Sequence, residues 1–289
     1  MNKNFLTILI SVILFNPISE LHSQDANGRP RIEVTEVYVM AGYMGFSNNN
    51  QTLSTFRKLA PDSEILSGDL SDYDDYSYFL NSGLGVFNTN VALKFNKQDG
   101  VEKNGPLLRL GITYQGGALL SQSMNFELRT PYDTLVSSQT GEEEYRDSIF
   151  TSDLEMRYLT SQVLADVSVI WRTNPDFRWG VYGGIGIAGG FSFDNRTVIE
   201  DRKNYFTSTD RGYDFPSTSK KEIFNNENAY CALVYLPIGA NVALGKNNFW
   251  ELINFVVELR PAISVISVPE LETDISATIP FSCGVKVSW

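Results

Sequence analysis

The last fifteen residues, ISATIPFSCGVKVSW (275–289), hold the most informative pattern in the chain. Ile275, Ala277, Ile279, Phe281, Cys283, Val285, Val287 and Trp289 take every second position. Ser276, Thr278, Pro280, Ser282, Gly284, Lys286 and Ser288 stand between them. A period of two predicts a β-strand with one apolar and one polar side. Its length is unusual, since typical strands run to about 5–6 residues.

Seven earlier segments repeat the pattern. About 33–44 aligns Val37, Val39, Ala41 and Tyr43, and about 84–95 sets Phe87, Val91, Leu93 and Phe95 against Asn88, Asn90 and Lys94. About 106–116 sets Leu108, Leu110, Ile112 and Tyr114 against Arg109, Gly111, Thr113 and Gln115. About 158–171 sets Val163, Ala165, Val167, Val169 and Trp171 against Gln162, Asp166 and Ser168. About 177–190 carries Trp179, Val181, Ile185 and Ile187 opposite Gly180, Gly184, Gly186 and Gly190. The sixth covers about 229–244. In the seventh, about 249–263, Ile253, Phe255, Val257 and Leu259 oppose Asn254, Glu258 and Arg260. No segment after Gln24 shows a sustained helical period, so the expectation is all-β with eight antiparallel strands.

The spacers alternate in length. They run to about 39, 10, 41, 5, 38 and 4 residues, and only the last, 264–273, breaks the rule by being short. Long and short connections in turn mean antiparallel neighbours whose two ends face different surroundings. Transmembrane barrels have that asymmetry, with short turns at one end and long loops at the other. A soluble eight-stranded barrel has no reason to segregate its loops. Tryptophan placement agrees: Trp171 and Trp179 flank the 5-residue turn, Trp250 follows the 4-residue turn, and Trp289 ends the chain. All four fall at the short-turn end, as an aromatic girdle at a membrane–water boundary requires. Tyr43, Tyr114, Phe191 and Tyr230 are candidates for the opposite girdle.

The first 23 residues have a targeting layout. Lys3 precedes the apolar run FLTILISVILF (5–15), Pro17 breaks that run, and Leu21-His22-Ser23 offers a cut before Gln24. A run of eleven residues is too short for the roughly 20 of a spanning helix. The expected division is a signal peptide at 1–23 and one barrel domain at 24–289, with the two termini of the barrel in the periplasm.

With the leader, the eight amphipathic segments, the glycine-rich stretch RWGVYGGIGIAGGF (178–191) and the closing ATIPFSCGVKVSW (277–289), the chain resembles a known family. It is similar to the small outer-membrane β-barrel proteins of Gram-negative bacteria, especially those of Bacteroidota. The resemblance implies that Phe281, Val285, Val287 and Trp289 form the signal read by the barrel-assembly machinery. It also implies outer-membrane lipids as surroundings, and leaves an outer-membrane or extracellular protein partner open. Some members of this class take part in protein secretion. The expected role of this chain is non-enzymatic, in envelope structure or in surface or assembly interaction through its acidic outer loops, with a small outer-membrane channel or transporter as the rival reading.

Composition narrows the chemistry. The one histidine, His22, lies in the leader, which removes histidine-based catalysis and histidine-ligated metals from the mature chain. No GxSxG stretch and no phosphate-cradling loop is present, since the glycines of 183–190 recur at strand spacing. Catalytic residues, metal ligands and cofactors are therefore expected to be absent. A net charge of −11 argues against nucleic acid as a partner. Residues 45–83, 117–157, 191–228 and 264–273 carry −4, −5, −1 and −2, so the acidity belongs to the expected outer loops. Export makes a disulfide available to Cys231 and Cys283, but they fall in non-neighbouring strands, which favours two packed free thiols.

If the apolar faces meet lipid, the lumen collects Lys94, Arg109, Asp166, Glu258, Arg260 and Lys286. An eight-stranded barrel has just enough room for side chains to fill it. Opposite charges there should pair as a structural plug, with a proton or ion path as the rival reading. The stretch Asp72-Tyr73-Asp74-Asp75-Tyr76-Ser77-Tyr78 mixes carboxylates and rings, and reads as a solvated loop before a calcium or sugar site.

Overall fold

The computed structural model describes residues 31–46, 52–76, 82–96, 105–136, 141, 143–173, 177–207, 217–245 and 248–288. The expected signal peptide and Trp289 lie outside them. Fifteen elements follow one another: β1 (Arg31–Gly45), α1 (Leu53–Leu59), β2 (Asp74–Asp75), β3 (Gly83–Asn96), β4 (Leu107–Val136), β5 (Glu143–Arg172), β6 (Trp179–Thr207), β7 (Ser217–Asn225), β8 (Tyr230–Tyr235), β9 (Ile238–Ala243), α2 (Asn248–Glu251), β10 (Ile253–Leu259), β11 (Ala262–Ser267), β12 (Asp274–Thr278) and β13 (Phe281–Ser288).

The antiparallel ladder closes on itself. From β6 it runs through β5, β4, β3, β1, β13, β10 and β9 back to β6. The last strand meets the first with Tyr43 opposite Phe281 and Glu36 opposite Ser288. Three strands are divided at one level by Pro237, Pro261 and Pro280, yet the register runs through each break unshifted. Each proline carbonyl still accepts a ladder bond, from Gly184, Leu236 and Arg260 N–H at 3.0, 2.9 and 2.9 Å. The reciprocal bond is missing because proline has no N–H. Thus β8 with β9, β10 with β11, and β12 with β13 are single strands, and the barrel has eight.

Side chains alternate around this ring as the period of two requires. Outward positions hold Ile112, Val167, Ile185, Ile187, Val234, Ile238, Phe255, Ile263, Ile279 and Val285, all exposed. Trp171, Trp179 and Trp250 are exposed at the short-turn end. Tyr114, Phe191 and Tyr230 lie on one line across neighbouring strands at the other end, through Tyr114↔Val163, Val163↔Phe191 and Phe191↔Tyr230. From Trp179 to Phe191 is twelve residues, roughly 40 Å along the strand and roughly 28 Å along the barrel axis at ~45° tilt. That matches the ~25 Å apolar band of a membrane barrel. Ile187→Lys, near the middle of the band, should cost about 2–4 kcal/mol in lipid vesicles, read as a lowered urea midpoint. In a barrel whose exterior faces water the same change would be near neutral.

The outer loops in part continue the strands as hairpins beyond the membrane, as expected for 145–156. Residues 117–157 and 191–228 are mostly strand: β4, β5 and β6 run to 30, 30 and 29 residues and rise far above the band, with β7 pairing to β6 at the edge. They form a wall over one side of the barrel. The segment 143–156 is part of it, and so is Asp74-Asp75, which pairs with Met124 and Asn125 and is not a free loop. On the convex side, charges two residues apart pair within a strand, as in Arg157–Glu155 at 3.2 Å and Arg202–Glu200 at 3.1 Å. Such pairs add little stability but keep the sheet soluble.

The second correction is α1. Leu53, Phe56, Leu59 and Ala60 recur at helical spacing and Pro61 stops the helix, a signal too short to stand out. Phe56, Leu59, Ala60 and Leu66 are buried against Leu84, Leu119, Met124, Leu154, Met156 and Tyr158, closing the outer mouth. The cap is tied to the wall by Ser63 Oγ donating to Glu222 at 2.6 Å, by Lys220–Glu64 at 2.6 Å, and by Asn226 donating to the Leu59 carbonyl at 2.7 Å. Burial pushes the Glu222 carboxyl up, but the bonds from Ser63 and Lys220 outweigh it and hold the group below its usual range. Both cysteines are free, Cys231 buried toward the lumen and Cys283 half-buried outward.

Candidate functional site

Among the described residues, polar chemistry is concentrated in a shielded space in the barrel interior. Glu258 and Arg260 from β10 and its break, Asp166 from β5 and Arg109 from β4 are all buried and form one ionic group. Arg109 grips Glu258 with two nitrogens, Nη1 at 2.6 Å and Nη2 at 3.2 Å, and its Nε donates to Ser168 Oγ at 3.0 Å. Arg260 bridges the two acids, with Nη1 on Asp166 at 2.8 Å and Nε on Glu258. Tyrosines complete each carboxylate: Tyr182 donates to Glu258 at 2.6 Å, and Tyr235 donates to Asp166. A buried carboxylate needs this, since each lone pair left without a donor adds to its desolvation cost.

A second group lies nearer the short-turn end. Glu36 accepts from Tyr38 and Arg172 and, at 3.1 Å, from Lys286. Tyr38 joins the two groups: the Arg109 guanidinium stands 5.5 Å from its ring centroid, and its ring meets Tyr182 edge-on at 6.5 Å. Arg260 likewise lies 5.1 Å from the Tyr235 ring. Tyr38, Met40, Ala92, Leu107, Ile170, Tyr182 and Val256 pack between the groups. Above them a cavity of only about 20 Å³, bordered by Asp166, Tyr235, Arg260 and Ser282, separates the charges from the apolar cap.

Five of the six sequence-predicted lumen charges therefore meet as ion pairs. Lys94 is also buried, but it lies opposite Glu33 across β1 and β3 and shares no carboxylate with the two groups. Sequence reading missed Glu36, Arg172, Tyr38, Tyr182 and Tyr235. All five follow from carrying the inward parity through every strand; Glu36 and Tyr38 alternate with Val37 and Val39.

The glycine-rich stretch has a specific task here. A Cβ on Gly186 would stand 2.4 Å from the Tyr235 ring, and one on Gly239 2.3 Å from the Tyr182 ring. Those two glycines vacate the space in which the tyrosines reach Asp166 and Glu258. No group of three or more histidine, cysteine or acidic residues that could hold a metal occurs among the described residues.

A closed eight-stranded antiparallel ring whose middle band is apolar on its outer face and whose lumen is polar and filled is the transmembrane class of β-barrel. Beyond the class, no family model and no curated relative matches the chain. Two solved structures of Ail, the attachment invasion locus protein of Yersinia pestis, are similar to it, one of them in complex with the heparin analogue sucrose octasulfate. Each covers 88% of this chain and 99% of that one, at 13% and 12% identity and a TM-score of 0.22. At those values the likeness adds nothing to what the strand pairing establishes.

Proposed function

We propose that this chain is a non-enzymatic outer-membrane protein whose barrel is a sealed anchor and whose wall is an extracellular interaction surface. One observation carries the reading: the lumen is filled by paired charges and a capping helix, while β4 to β7 are built far beyond the membrane band. The tryptophans Trp171, Trp179, Trp250 and Trp289 would sit at the periplasmic boundary, and Phe281, Val285, Val287 and Trp289 would face the assembly machinery during insertion. Five of the predicted lumen charges, Arg109, Asp166, Glu258, Arg260 and Lys286, with Glu36 and Arg172, act as a structural plug.

The expected results are a protein that migrates differently on gels before and after boiling, and a reproducible partner on purification from native outer membrane. Shortening the β4–β5 tip between Pro131 and Asp147 should abolish the partner and leave heat-modifiable migration intact. A secretion component as that partner would specify the assembly. Identical migration of unboiled and boiled samples, with recovery in the soluble fraction, would contradict the reading.

A further inference from the structure

The concave face of the wall, above the cap, carries a row of aromatic rings drawn from four separate segments. Tyr73, Phe126, Phe150 and Tyr205 follow one another with ring centroids 5.6, 6.0 and 4.8 Å apart. Tyr205 is exposed, and the other three are half-buried and keep part of their ring surface open. Beside the rings runs a polar chain: Tyr73 OH donates to Ser152 Oγ at 2.8 Å, Ser152 donates to Asp201 at 2.6 Å, and Lys203 pairs with Asp201 at 3.3 Å.

We propose that this strip binds a neutral oligosaccharide. The inference rests on the reading of the wall as an extracellular surface. A pyranose ring presents an apolar face of C–H groups and an equatorial edge of hydroxyls. The strip offers the counterpart to both, rings to stack on and the part-exposed Lys203 ammonium with the edge of Asp201 to exchange hydrogen bonds, while buried Ser152 holds Tyr73 and Asp201 in place. Its charge selects against an ionic ligand, because Asp201 and Lys203 neutralise each other. Its height selects against lipid. Phe150 stands thirteen residues beyond Val163, which is level with Phe191, so it lies roughly 30 Å above that girdle at ~45° tilt. The headgroup layer is only about 5–8 Å deep on each side.

The test is titration calorimetry of the full folded protein in detergent micelles with maltohexaose, cellohexaose, chitohexaose and mannohexaose. At least one should bind. Tyr205→Ala and Phe150→Ala should each weaken it tenfold or more. Ile223→Ala, on the opposite face of the wall, should leave it unchanged. Binding of none of the four by a heat-modifiable wild-type protein overturns the saccharide site and leaves the sealed-anchor reading in place. Binding that survives both ring substitutions, or capture of a protein through these rings with no saccharide bound, also overturns it. A wild-type protein that is not heat-modifiable overturns the reading beneath it.

Discussion

Glu258→Ala should destabilise the folded barrel by about 3–5 kcal/mol. Arg109 and Glu258 are wholly removed from solvent, and the carboxylate is shared by Arg109, Arg260 and Tyr182. Removing it leaves Arg109 with Ser168 as its remaining side-chain bond and a full charge in a low-dielectric interior. Arg260 suffers less because it keeps Asp166. The loss belongs to the orphaned cation, so the double replacement Arg109→Met with Glu258→Met should recover most of it. Urea unfolding in lipid vesicles, followed by the boundary tryptophans, measures both. A Glu258→Ala loss under about 1 kcal/mol would mean that water reaches the site and the plug is not dry.

Gly186→Val should be comparably damaging although it adds only apolar atoms. Its Cβ would stand 2.4 Å from Cζ and 2.6 Å from the hydroxyl oxygen of Tyr235, and 2.8 Å from Ser168 Cβ. Tyr235 must leave, and Asp166 then loses a donor. Overpacking at about 1–3 kcal/mol and a lost buried hydrogen bond at about 1–3 kcal/mol together give roughly 2–6 kcal/mol. Gly183→Ala is the control, because its added carbon meets nothing closer than the Pro237 carbonyl oxygen at 3.8 Å. Equal tolerance of both changes in the same unfolding assay would sink the claim that Gly186 is there to admit the tyrosine.

Within the membrane band nearly everything was legible, because lipid and lumen impose opposite chemistry on alternate residues. Val163, Ala165, Val167 and Val169 against Gln162, Asp166 and Ser168 leave no other register. Above the band that contrast disappears. Both faces of β4 and β5 meet water or a thin local core, so Glu127 and Arg129 alternate with Phe126 and Leu128 and read as loop. The seven-residue α1 has too few turns for a period, and its three apolar side chains, Leu53, Phe56 and Leu59, are explained only by the wall they cover. In the lumen, sequence named the charges but could not assign partners. Arg109 and Glu258 are 149 positions apart and meet only because the ring closes. The tyrosines escaped notice for a related reason: on a strand an inward ring and an outward ring differ only in parity.

Single-channel recording in planar lipid bilayers tests the central claim most directly, since a sealed anchor and a pore differ there without ambiguity. The purified, heat-modifiable protein should insert and show no steady conductance. Stable, large unitary channels from that same preparation would contradict a lumen closed by Arg109, Glu258, Arg260 and Asp166 beneath the α1 cap.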